Sequence, residues 1–172
     1  MADEKRIEGM EPRFIEKVGL DVYFTRLQPG DQVMTKIPEI CRELGIERAV
    51  ILSGVGSLKD VAFADPKPGA TIPIDNFLEK FNVVEEKGPF ELLTLTGNVV
   101  PLVGTFGDLK EGDLVLHAHA TLSAQYGTVI GGHLRKGTVW TTTELFLAAV
   151  KDSNVKKKQS TVTGLMEMRT DL

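Results

Sequence analysis

The chain has three histidines, and all of them lie between residues 117 and 133. Two are spaced as His117-Ala118-His119 inside the apolar run Leu114-Val115-Leu116-His117-Ala118-His119-Ala120. Such a run reads as a β-strand, in which residues i and i+2 point to the same face. The third follows a short turn, Gln125-Tyr126-Gly127, in the segment Gly131-Gly132-His133. If the two segments pair as neighbouring strands, three imidazoles converge on one point. Three histidine ligands with an open fourth position are the arrangement of a catalytic zinc site. A lone histidine in a strand is more often a hydrogen-bonded core or surface residue. H-x-H followed at once by a third histidine on a partner segment favours a shared metal. The alternative is a histidine cluster bound to water or to an acidic residue.

The 172 residues suit one domain. Residues 1–12 are expected to form a flexible N-terminal segment and residues 13–172 a single domain. The 42% hydrophobic content is that of a globular chain. A net charge of −4 and a pI near 5.4 argue against a strongly basic nucleic-acid surface, while leaving room for a local basic patch. One cysteine, Cys41, excludes an internal disulfide and suits a reducing cytoplasm, the expected location. Its place on the apolar face of a helix marks it as core rather than nucleophile. The start, Met1-Ala2-Asp3-Glu4-Lys5-Arg6, is charged and has no apolar signal-peptide region. No apolar run approaches the roughly 20 residues of a membrane span.

Val18 to Leu27 alternates loosely and reads as a strand ended by Pro29-Gly30. Asp31 is a candidate N-cap for a helix to Leu44 with Val33, Ile37, Ile40, Cys41 and Leu44 on its apolar face. Pro38 removes a hydrogen bond there, so a kink, or a helix starting near Ile37, is expected. Gly45 closes the helix. Ala49 to Leu52 is a buried strand. The glycines of Ser53-Gly54-Val55-Gly56-Ser57 mark a bulge or close backbone approach, since G-x-G alone is weak evidence for a phosphate loop. Val61 to Ala64 continues as a strand, and Asp65 to Gly69 reads as a loop. Phe90 to Leu102 is strand-rich, with Glu91 a carboxylate inside it, and Asp108 to Asp113 is a polar turn. Beyond the histidine segments, Thr138 to Thr143 and Leu145 to Val150 read as separate β segments interrupted by Glu144. Lys156 to Lys158 reads as a solvated loop and Ser160 to Met168 as a last strand. The sum is about eight short strands and one main helix. This is an α+β domain with a largely antiparallel sheet.

Six short motifs, in order, give this chain a family likeness. They are R-L-x-P-G-D at Arg26 to Asp31, S-G-V-G-S-L at Ser53 to Leu58, and G-P-F-E-L-L-x-L-x-G-N at Gly88 to Asn98. L-H-A-H-A at Leu116 to Ala120, G-x-V-I-G-G-H-L at Gly127 to Leu134 and T-x-E-L at Thr142 to Leu145 follow. From Arg26 to Val150 the chain resembles the plants-and-prokaryotes-conserved (PPC) domain in its stand-alone prokaryotic form, often labelled DNA-binding. The resemblance implies a mixed sheet with a helix, assembled as a homotrimer. It also implies a metal on His117, His119 and His133, in agreement with the residue-level reading. The implied fold is similar to that of acetolactate decarboxylases, which hold zinc on three histidines; this is analogy, since fold does not fix function. Plant members carry AT-hooks for the DNA minor groove. This sequence has no R-G-R-P core, and its first twelve residues are mainly acidic.

Two functions compete on this basis. The first is a metal-dependent enzyme acting on a small molecule. Zinc, or another divalent transition metal that imidazole suits, would polarise a carbonyl or lower the pKa of a bound water. Such chemistry needs a general acid or base, for which Glu91 and Glu144 are candidates, while Arg26 could hold a carboxylate or phosphate. Each has a plainer role: Glu91 as an exposed strand residue, Glu144 as a hydrogen-bond partner of a metal histidine, Arg26 as a surface or interface ion pair. The second function is a non-enzymatic DNA- or protein-binding module with a structural metal. Against it, structural zinc is typically closed and Cys-rich, and no basic cluster exists beyond Lys156 to Lys158. The pocket could lie within one chain or at a trimer seam.

Overall fold

Alternation with period two dominates the chain, and it becomes strand wherever one side of the run can be buried. The computed structural model describes residues 19–171, so the expected flexible segment 1–12 lies outside the described residues. Its strands are β1 (Gly19–Leu27), β2 (Ala49–Pro66), β3 (Phe81–Glu86), β4 (Phe90–Pro101), β5 (Leu114–Ser123), β6 (Val129–Lys151), β7 (Lys156–Gln159) and β8 (Met166–Arg169). Two helices, α1 (Val33–Glu43) and the single turn α2 (Phe77–Lys80), join them. The strand order is β1-β6-β5-β4-β2-β3, and an additional β6–β2 pairing returns the sheet on itself. Strands β6, β5, β4 and β2 therefore close a ring, with β1 and β3 as extensions. All named pairs are antiparallel, and β7 and β8 form a separate two-stranded sheet. The α+β, largely antiparallel architecture expected from sequence is the one observed.

The ring encloses the core. Leu92, Leu95, Ala118, Leu122, Leu145 and Leu147 alternate inward from four-stranded walls and are at most 2% exposed. Each fully buried Leu contributes about 1.5–3 kcal/mol of transfer free energy. Helix α1 covers part of the barrel with Val33, Ile37, Pro38 and Cys41. Burial pushes the Cys41 thiol up to about 11, which fits a core residue rather than a nucleophile. The helix ends as expected. Gly45 has φ +67, and the amides of Gly45 and Ile46 bond the carbonyls of Arg42 and Cys41 at 3.1 and 2.7 Å. That pairing is a Schellman close.

Several expectations are corrected. The helix starts at Val33, four residues ahead of Ile37, and runs through Pro38. One lost hydrogen bond is outweighed by burial of the proline ring in the core. Gln32, not Asp31, is the N-cap, and it makes no side-chain cap bond. Asp31 instead accepts from the Gln28 amide at 2.8 Å, closing the turn before the helix. Leu44 is 48% exposed, because the chain has already left the apolar face. Residues 138–150 are not two segments: β6 runs unbroken for 23 residues and Glu144 sits inside it. Asp65 and Pro66 belong to β2. β3 went unforeseen, and β8 is shorter than expected, since residues 160–165 form a turn that the Ser160 amide closes on the Leu165 carbonyl at 2.8 Å. The bulge reading of Gly54 to Gly56 holds. The β2–β6 register shifts on both sides of this stretch, and a Cβ at Gly56 would collide with the Thr142 carbonyl. Among the described residues no helix is long and apolar enough to cross a membrane.

Candidate metal centre

The two histidine segments pair as neighbours. β5 and β6 are antiparallel, and His119 lies directly opposite His133. His117 is two residues from His119, on the same side of β5, while Leu116, Ala118 and Ala120 turn inward to the core. All three imidazoles thus project from the outer wall of the barrel. Their ring centroids are 5.0 to 5.3 Å apart, and one ligand nitrogen from each lies within 4.8 Å of the others.

Two glycines make this approach feasible. A Cβ at Gly131 would strike the Ala120 carbonyl across the strand pair. At Gly132, φ is +155, and a Cβ would overlap the carboxylate of Asp65. Glycine satisfies both the backbone conformation and the steric demand there. Asp65 is held by β2, where Ala64 pairs with His133. Sequence reading missed this carboxylate because Asp65-Pro66 looks like the start of a loop.

The histidines open into a cavity of about 510 Å³. Its polar lining includes Asp65, Arg135 and Lys157, and its walls include Phe77, Phe81 and Phe106. Phe77 and Phe81 stack with centroids 4.5 Å apart, and the Arg135 guanidinium lies 5.1 Å from the Phe77 ring centre. Burial pushes the His133 imidazole down to about 4, helped by the positive charges of its neighbours. Burial, then Lys157 and His119, lowers His117. Both are therefore unprotonated at neutral pH, the form that ligates metal. Asn98 stands opposite His117 in the β4–β5 register, and its buried Oδ1 has no hydrogen-bond partner. An orphaned acceptor beside an imidazole suits the N–H of a metal-bound ring. The donor set, the unprotonated His117 and His133, and this acceptor all fit a transition metal.

Lys157 is the largest departure from the sequence reading. The Lys156–Lys158 run is not a solvated loop but strand β7, with Lys157 opposite Met168 of β8. The Val103 amide bonds the Lys157 carbonyl at 2.7 Å, tying β7 to the barrel. Period-two alternation then sends the middle lysine inward, where it is 2% exposed. Burial pushes its ammonium down to about 8. Among the described residues no hydrogen bond or ion pair holds it.

The three other candidates lie elsewhere. Glu91, Glu144 and Arg26 are exposed, and none lines the cavity. Glu91 pairs with Ser123, five positions along β4 from Thr96, the partner of His119, or about 16 Å of strand. Arg26 and Glu144 face one another across β1 and β6, eleven positions beyond His133. They share an outer face with Val22, Phe24, Val55 and Phe146, which are 46 to 63% exposed.

Fold and site together define a small α+β barrel domain whose outer wall carries a three-histidine group able to hold a metal. The chain belongs to the Plants and Prokaryotes Conserved (PCC) domain family, whose model matches residues 15–151. Among solved structures it is similar to a plant- and prokaryote-conserved (PPC) protein of Pyrococcus horikoshii. The two are 29% identical with a TM-score of 0.69, over 90% of this chain and 97% of that one. It is also similar to a metal-containing protein of Archaeoglobus fulgidus, 25% identical with a TM-score of 0.71, over 92% and 99% of the two chains. A bifunctional protein GlmU of Synechococcus is 26% identical over 161 residues, 93% of this chain. The chain spans only 22% of that protein's length.

Proposed function

We propose that this protein is a transition-metal-dependent enzyme acting on a small molecule in the 510 Å³ cavity. The observation that carries this reading is the convergence of three imidazoles on an open cavity instead of a closed ligand shell. His117, His119 and His133 would hold the metal, with zinc the expected ion. A metal there supplies Lewis acidity, or a bound water with a pKa near about 7. Asp65, in place of Glu91 or Glu144, is the carboxylate positioned to accept or return a proton. The aromatic wall excludes water and seats an apolar group.

Assembly as a homotrimer is part of the proposal. The exposed apolar face of β1 and β6, with the rings of Phe24 and Phe146 4.9 Å apart, supports burial against further copies. A DNA-binding role gains no support from this apolar face or from the net charge of −4.

Native mass spectrometry with elemental analysis, on protein purified without chelator or His-tag, should give a trimer with about one transition metal per chain. Cobalt-loaded protein then tests the open site. Added azide should change its visible spectrum if a coordination position is free. An unchanged spectrum would make the metal structural and the binding-module reading correct.

A further inference from the structure

A buried lysine without a counter-ion implies that something else supplies the charge. The Lys157 side chain is 2% exposed and lines the cavity that the three histidines face. Among the described residues it makes no hydrogen bond or ion pair, and a charge left this way costs far more than one in water. Its position is built by the fold. β7 is fixed by β8 on one side and by the Val103 amide on the other, so the side chain cannot swing to solvent without breaking the strand. Arg135, two residues beyond His133 on β6, adds a second cation at the exposed side, packed over Phe77. Among the described residues Asp65 is the one carboxylate lining the cavity, and it is packed against Gly132.

We propose that Lys157 is the anion anchor of this cavity and that the ligand is a small organic carboxylate with an apolar body. The carboxylate pairs with the Lys157 ammonium, as charge-assisted hydrogen bonds in a site withdrawn from water are the strong ones. The apolar body lies along Phe77, Phe81 and Phe106, and the rest of the molecule meets the histidine side. One enclosed ammonium beside mostly apolar walls suits a monoanion better than a phosphate dianion. This inference rests on the cavity being the ligand site of the proposed enzyme, and it names the substrate class.

The test uses the full-length, zinc-loaded protein with 4-fluorophenylacetate as probe, its neutral amide as control and inorganic phosphate as competitor, followed by fluorine NMR. The acid should bind at least about tenfold tighter than the amide, and Lys157→Met should remove that preference. Lys157→Arg should retain most of it, which guards against a folding artefact in the methionine variant. Equal binding of acid and amide, no binding of either, or an unchanged preference in Lys157→Met would overturn the assignment. Displacement of the acid by phosphate at lower concentration than by acetate would make it a phosphate site and overturn the carboxylate class. The same titration on metal-free protein keeps the two readings apart. A Lys157-dependent preference in a protein that never takes up metal defeats the enzyme proposal alone. A metal-loaded protein with no such preference defeats this one alone.

Discussion

Strand β6 carries two outward faces that look alike in sequence and differ in surroundings. At its start, His133 and Arg135 face a cavity roofed by α2 and by β7–β8. In its second half, Glu144 and Phe146 face outward with Arg26 and Phe24 of β1, and no described element covers them. Both faces mix charge with apolar surface. Only the covered one combines metal-ligating groups with a desolvated cation. Burial, not residue type, separates the proposed reactive site from the proposed assembly surface. Exposed charges on an open sheet face stay hydrated and contribute little to stability, whereas a lysine under a roof is here the proposed binding determinant.

The comparison breaks most decisively at the ligands. His119→Ala or His133→Ala should lower metal affinity on the order of 10³-fold, taking structural zinc energies of about 10–16 kcal/mol as shared among the ligands. Metal analysis after dialysis against a weak chelator reads this, and full occupancy in either variant would overturn the three-histidine site. The other face breaks by charge. Phe24→Asp combined with Phe146→Asp should weaken self-association by roughly 100-fold or more, as loss of interface hot spots does. Metal content should be unaffected, and sedimentation velocity at micromolar protein distinguishes a dissociated variant from one that still runs as wild type.

Lys157→Met sharpens the contrast between stability and function. The lysine's pKa is depressed in the fold, to about 8 from 10.5. Between those values the unfolded chain binds more protons, so wild-type stability rises with pH there. The cost is fully present below about pH 8 and gone above 10.5. The methionine variant of the metal-free protein should therefore be more stable by on the order of 3 kcal/mol at pH 7, and the gap should close by pH 10.5. Urea unfolding at the two pH values measures it, and a gap independent of pH would show that Lys157 finds a partner. Asn98→Ala should weaken metal binding by about tenfold through the orientation of His117, without changing stoichiometry. Calorimetric zinc titration reads that loss. Last, Glu91→Gln and Glu144→Gln should leave zinc and probe affinity within about twofold, as surface changes do. A larger loss would return these carboxylates to the site.

The histidine group was legible because its determinants are local. Two residues in period-two spacing and a three-residue turn set the register that brings His133 opposite His119. The barrel's inward positions were legible for the same reason, as alternation in β5 alone separates Leu116 and Ala118 from the histidines. What escaped depended on distant pairing. Lys157 is buried only because β8 and the segment at Val103 reach it from elsewhere in the chain, and a run of three lysines carries no sign of that. Glu144 reads as an interruption between two β segments, whereas it lies inside the unbroken β6, eleven positions along the strand from His133. Asp65 hid behind a proline that reads as a turn.

The family match ends at residue 151, and Lys157 stands beyond it on a small sheet of its own. In the proposed reading, metal retention and ligand choice therefore rest on two different sheets of the fold. The shared barrel determines that three imidazoles meet. The β7–β8 hairpin, through the proposed anchor role of Lys157, sets what sign of molecule is admitted to them. A change confined to that hairpin would then alter the charge preference of the cavity and leave the metal-holding wall untouched.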